Sequence, residues 1–283
     1  MSWLIFALVF WAGAWLLNAY LANSPWRGTM AVRAAVPVLF GVTLIILWEG
    51  VVRAFGVSPV ILPAPSTVAV TFAASTDLLW IDFKQTVLKG ALSGFIIGVT
   101  AALVTAILID RSAFLTRGLL PIGNFVAALP IIGIAPILVS WFGFDWQSKA
   151  AVVVVMVFFP VLVNTVQGLR ETDAMQRDLM RTYAASYSDT LVKLRLPAAL
   201  PFVFNGLKIA TTLALIGAIV AEYFGSPTRG MGFRISTGVG SLSIDLVWAE
   251  ITVAAMAGTA FYGVVALIEK RVTFWHPSHR AQR

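Results

Sequence analysis

Few residues in this chain could do chemistry. There is no cysteine, which excludes disulfides, iron–sulfur clusters, thiolate metal sites and thiol nucleophiles. The two histidines, His276 and His279, both lie in a basic tail with no distant ligand to pair with, so a metal site has little support. Ser186 and Ser188 lack a neighbouring histidine base, and neither Gly-x-Ser-x-Gly nor His-Glu-x-x-His occurs. No Gly-x-x-x-x-Gly-Lys-Ser/Thr loop is present to cradle a nucleotide phosphate. What remains is a sparse set of polar groups in an apolar chain. Glu49, Glu222 and Glu250 are candidates by type, because a charge at mid-membrane costs about 2.5–3.5 kcal/mol and defaults to a functional reading. All three sit near the ends of apolar runs, so a structural role is the competing reading. Asn164 and Asn205 can face a pathway or bond another helix. Pro130 and Pro136 break an apolar run, which is tolerated where a cavity or neighbouring helices satisfy the backbone.

The elements that must position these groups follow from hydropathy. The chain has 283 residues, 59% hydrophobic and 12% charged, against about 25% charged for a soluble domain. A soluble fold and disorder are both excluded, leaving an all-α integral membrane protein. Seven charge-poor runs read as spans: Ser2–Trp26, Ala34–Val52, Gly90–Ile109, Leu119–Phe142, Ala150–Leu169, Phe204–Tyr223 and Ile251–Ile268. They are continuously apolar, unlike the alternating strands of a barrel. The net charge of +7 fits a membrane protein's basic loops better than nucleic-acid binding. With the C-terminus inside, 14 of the 20 Lys and Arg fall on the cytoplasmic side, which places the N-terminus outside. The first helix reads as retained rather than as a cleaved signal, since nothing before Trp3 is basic.

The segment Arg170 to Pro201 is long and mixed in charge where a short turn would have sufficed. Met180, Ala184, Tyr187 and Leu191 recur at helical spacing, which predicts one helical face. Leu196-Pro197 and Leu200-Pro201 are expected to stop that helix before the next span. The small centre Ala184-Ala185-Ser186 favours docking into a partner's groove over lying on lipid.

At this segment the chain resembles the permease subunits of binding-protein-dependent bacterial ATP-binding-cassette importers. Their cytoplasmic motif reads Glu-Ala-Ala, three residues, Gly, nine residues, Ile, any residue, Leu-Pro. Here Asp178-Leu179-Met180, Ala184, Leu194 and Leu196-Pro197 keep the spacing with relaxed identities. Further segments look like the nitrate, sulfonate and taurine branch: Leu62–Val68, Leu129–Pro136, Trp141–Gly143, Phe158–Pro160 with Asn164, and Glu222 before Gly230-Met231-Gly232. Tyr183–Ser186 and Leu194–Pro197 also look like permeases for pyrimidine vitamin precursors or riboflavin. The resemblance covers about Ala34 to Thr273 and implies a six-helix core (31–273) plus an extra N-terminal helix (1–30) and a basic tail (274–283).

The resemblance implies an importer half-channel: a permease homodimer in the inner membrane, cytoplasmic ATPase subunits and a periplasmic or lipid-anchored binding protein. ATP would be spent by the partner, with no cofactor held by this chain. The coupling segment would include Asp178, Met180, Tyr183, Ala184, Ala185, Ser186, Tyr187, Leu191, Leu196 and Pro197, and the pathway would draw on Pro130, Pro136, Asn164, Asn205 and Glu222. The competing classes are an ion-driven secondary transporter, which often shows inverted repeats, and a structural membrane protein without transport.

Overall fold

The computed structural model describes residues 2–112, 114–115, 117–118, 123, 129–225 and 228–275. In chain order the elements are α1 (Ser2–Asn23), α2 (Met30–Phe55), α3 (Pro65–Ala74), α4 (Thr76–Phe83), a π-helical stretch π1 (Lys84–Ala91) and α5 (Leu92–Arg111). They continue with α6 (Ile131–Phe142), α7 (Trp146–Arg170), α8 (Ala174–Thr182), α9 (Tyr187–Thr190), π2 (Leu191–Arg195), α10 (Leu196–Gly225), α11 (Met231–Gly240) and α12 (Ile244–Val272). No strand occurs among the described residues. Among the described residues, six helical runs are long and apolar enough to cross a membrane. They match six of the seven expected spans. The third begins earlier than expected, at Thr76, because α4 and π1 run into α5 without a break. Of the fourth, only the half containing Pro130 and Pro136 is described, as α6; Pro121 lies outside the described residues, as do His276 and His279.

The chain forms two compact units. One comprises 1–79 and 237–250. In it α1 lies along α2, with Ala7 and Ala14 buried at the seam. Glu49 is spent structurally. Its carboxylate takes the Ser66 N–H at 2.9 Å and the Ser66 hydroxyl at 2.8 Å, capping the first turn of α3, while Arg53 donates to it from one turn away. The Trp48 and Trp248 rings meet at 53° with centroids 4.7 Å apart, and Thr71 donates to Asp245 at 2.7 Å.

The second unit comprises 80–236 and 251–283. Its centre is α7, which presents Val153, Val157 and Val161 to Ala102 and Ala106 of α5 and to Ala210, Ala214 and Ala218 of α10. Small residues let the backbones approach closely, the usual solution where lipid offers no hydrophobic drive between helices. Gly94 shows how close: a Cβ there would stand 2.8 Å from the Ala150 carbonyl.

Candidate functional site

The long segment between α7 and α10 is not one helix. Asp173 and Gln176 form a capping box that starts α8. The helix then closes at Tyr183. Ala184 adopts φ +49°, its N–H bonds the Arg181 carbonyl at 2.9 Å, and the Ala185 N–H reaches the Met180 carbonyl at 3.0 Å. That is a Schellman closure. Ser186 immediately caps the next turn, its hydroxyl accepting the Asp189 N–H at 3.1 Å.

The expected single face therefore splits. Tyr187 and Leu191 turn inward, Leu191 packing with Leu169, Ala199 and Val203. Met180 is half-buried, and Asp178 is exposed beside Arg181. The exposed apolar row on α8 is instead Met175, Leu179 and Tyr183, spaced four residues apart. Ala184, Ala185 and Ser186 are the turn itself.

The prolines do not stop the helix as expected. The chain runs helically from Tyr187 to Gly225. Pro197 and Pro201 remove donors and crowd the preceding turn, and π2 widens that turn. The Leu196 N–H bonds Leu191, five residues back, just before Pro197.

Behind the turn is an anchor that sequence reading missed. Arg195 donates from Nη1 and Nη2 to the two oxygens of Asp110, at 2.7 and 2.5 Å. Its Nε and Nη2 also reach the Leu169 carbonyl, at 3.0 and 2.9 Å. The Tyr187 hydroxyl donates to Asp110 at 2.7 Å, and the Arg111 guanidinium lies 4.9 Å from the centre of that ring. Asp110 is the point where α5, α7 and the long segment are tied together.

At the other end of α10 lies a second polar cluster. Asp82, Thr86, Lys149 and Glu222 are all fully buried. Three successive backbone N–H groups at the start of α11 are taken by side chains. Gly230 donates to Asp82 at 2.7 Å, Met231 to Thr86 at 2.8 Å and Gly232 to Glu222 at 3.1 Å. Thr86 donates its own proton to Glu222 at 2.6 Å, and Arg234 donates to Asp82 at 2.9 Å. A helix N-terminus favours such anions. Lys149 donates to the carbonyls of Phe144 and Gly225, at 2.5 and 2.8 Å, closing the C-terminal end of α10. Gly230, at φ +117°, and Gly232 leave no room for a Cβ. One at Gly232 would stand 2.8 Å from the Glu222 side chain.

Of the expected pathway residues, Glu222 thus belongs to this buried cluster. Asn205 donates to Asn164 at 3.0 Å, and Asn164 donates to the Pro160 carbonyl at 2.8 Å. Pro130 caps α6 and Pro136 sits exposed within it. Asn164 and Asn205 form one pair; no described contact joins them to Pro130, Pro136 or Glu222. Asp82, Thr86 and Lys149 were missed because they lie sixty or more residues from Glu222 in the chain. The available signal was the i,i+4 pair Asp82 and Thr86 together with Gly-Met-Gly after the glutamate.

Residues 94–274 match the family described as the binding-protein-dependent transport system inner membrane component. The chain belongs to this family. Its relatives include a probable ABC transporter permease protein of Haemophilus influenzae, 34% identical over 82% of this chain and 94% of the relative. A formylaminopyrimidine transport permease protein of Halalkalibacterium halodurans is 30% identical over 86% of this chain and 96% of its own. A putative aliphatic sulfonates transport permease protein of Bacillus subtilis is 29% identical over 86% and 88%. The chain is a permease subunit of an ATP-binding-cassette importer, a multi-pass inner-membrane protein that works with ATPase and substrate-binding partners. The family match begins within α5 and so takes in both ends of α10 but not α1 to α4.

Proposed function

We propose that the α8–α9 turn is the surface through which ATP hydrolysis in the partner reaches this permease. The observation that carries this is the break at Ala184. It leaves Met175, Leu179 and Tyr183 as an exposed apolar row, while the Asp110–Arg195 pair holds the following helix rigidly to the body. A rigid contact is what a rigid-body transition between inward- and outward-open states requires. Asp178, Ala185, Ser186, Leu196 and Pro197 shape that surface rather than touch the solute.

In this reading two copies of the chain pair as a homodimer. The C-terminus and the α8–α9 turn are cytoplasmic, in keeping with the placement of Lys and Arg. The α11 end of α10 then faces the binding protein, since a 30-residue helix spans about 45 Å. ATP is spent on the ATPase, and this chain holds no cofactor and performs no covalent chemistry. The solute is a small oxyanion or a ring-containing vitamin precursor. These are the classes named on relatives for sulfonates, taurine, formylaminopyrimidine and riboflavin.

Leu179→Asp in the reconstituted importer tests the docking surface. The expected outcome is normal insertion with ATPase co-purification reduced about tenfold, the loss of one buried leucine contact of roughly 1.5 kcal/mol or more. Full retention of the ATPase and of uptake would refute it.

A further inference from the structure

An open-sided groove of about 650 Å³ runs between α10 and α12. That volume suits a single small ligand. It begins at the α11 end, where Ile219 faces Ile251, and descends past Ile216 and Ala255. It ends near the middle of both helices at Thr212 and Tyr262. Neither hydroxyl has a hydrogen-bond partner among the described residues, and both residues are exposed. A hydroxyl left open at mid-membrane costs free energy unless something bonds it. Gly258 keeps this passage clear: a Cβ there would lie 3.2 Å from Leu215.

No charged side chain lines the groove. The nearest cation along α10, Lys208, stands one turn below Thr212 and is held by Glu269 of α12 at 2.8 Å. It is not available to a solute, and the pair ties the two helices together beneath the groove. A small anion seated here would be desolvated against apolar walls with no cation to offset the cost, several kcal/mol for an unpaired charge. A neutral ring meets both requirements, with apolar faces against Ile216 and Ile219 and polar edges toward the two hydroxyls.

We infer that this groove is the permease's own solute site, and that it takes an uncharged, ring-containing solute the size of a pyrimidine or flavin rather than an oxyanion. This rests on the importer reading above and narrows the solute class.

The absence of natural cysteine allows a direct test. Thr212→Cys and Tyr262→Cys, each in the full importer with its ATPase and binding protein in lipid nanodiscs, are treated with a water-soluble maleimide. Val104→Cys, on an exposed face of α5, is the lipid-facing reference. Both groove cysteines should react about tenfold faster than the reference, because the thiolate forms only where water reaches. Cytosine or lumichrome, used as neutral ring probes, should slow the reaction about fivefold, the protection given by roughly four-fifths occupancy. Methanesulfonate should leave it unchanged. Reference-like reactivity would overturn the groove as a solute site and mark it as a lipid or protein contact. Protection by methanesulfonate alone, or by none of the three, would overturn the solute class. Binding-protein-stimulated ATP hydrolysis, measured on the same samples, reports on the importer reading separately: its absence in the unsubstituted complex would defeat that reading and not the groove.

Discussion

Asp110→Asn is the sharpest probe of how the long segment is held. The change is isosteric and removes one charge. Arg195 would lose a two-pronged ion pair, with N···O distances of 2.7 and 2.5 Å, and Tyr187 would lose a charged acceptor at 2.7 Å. The pair is largely shielded, with side chains 15% and 9% exposed, so solvent screening removes little of its strength. Breaking one side of a buried pair costs about 3–5 kcal/mol. The low end applies, because Asn keeps one oxygen and the Leu169 carbonyl still receives the guanidinium. A local cost of about 3 kcal/mol corresponds to roughly 150-fold in the opening equilibrium. Hydrogen exchange on the peptide covering residues 187–196 reads this directly, since local opening sets amide protection. Exchange there should accelerate by about two orders of magnitude, while amides of residues 208–218 in the core of α10 stay protected. Adding Arg195→Met should restore at least half of the protection, because no charge is then stranded. Exchange across 187–196 within about threefold of the unsubstituted protein would refute the anchor.

Two further outcomes follow from the same geometry. Lys149→Met leaves the Phe144 and Gly225 carbonyls without their donor and removes a cation whose charge acts on the Glu222 carboxylate, so the detergent-solubilised protein should lose roughly 1–3 kcal/mol of stability per orphaned carbonyl. Glu222→Gln in that background should recover part of it. A double variant as weak as the sum of the singles would show that the two charges do not neutralise one another. At Ala184 the left-handed backbone costs an L-residue about 1–2 kcal/mol. Ala184→Gly should therefore raise the thermal midpoint with uptake retained, whereas Ala184→Val should lower both.

The membrane-crossing helices were legible because their signal is local. A long apolar run with few charges admits almost no other structure, and six of the seven expected runs appear as long helices. Their ends were less legible. The span expected at Gly90 starts at Thr76, because Asp82, Lys84 and Lys89 made the preceding turns look like a loop. Asp82 is in fact fully buried. Periodicity also misled where a turn intervened. Met180, Ala184, Tyr187 and Leu191 keep helical spacing on paper, yet a single left-handed residue at 184 rotates the second pair inward.

That residue also links the motif to its physics. The importer motif carries glycine at this register, and this chain carries alanine. The spacing is kept because a Schellman closure needs its left-handed residue at one fixed place after α8. The identity relaxes because alanine reaches that conformation at a cost the closure and the Ser186 cap can offset. The same logic runs at the far end of α10, where Gly230 and Gly232 leave no such latitude: a methyl group there meets the Glu222 side chain itself. A position whose demand is only on backbone angle can drift to alanine, whereas one where a buried carboxylate approaches the backbone cannot. Residue 184 and the two glycines after Glu222 therefore differ in what they report. The one at 184 marks where a docking turn must fold, and the pair after Glu222 marks where two helices and a carboxylate close on one another.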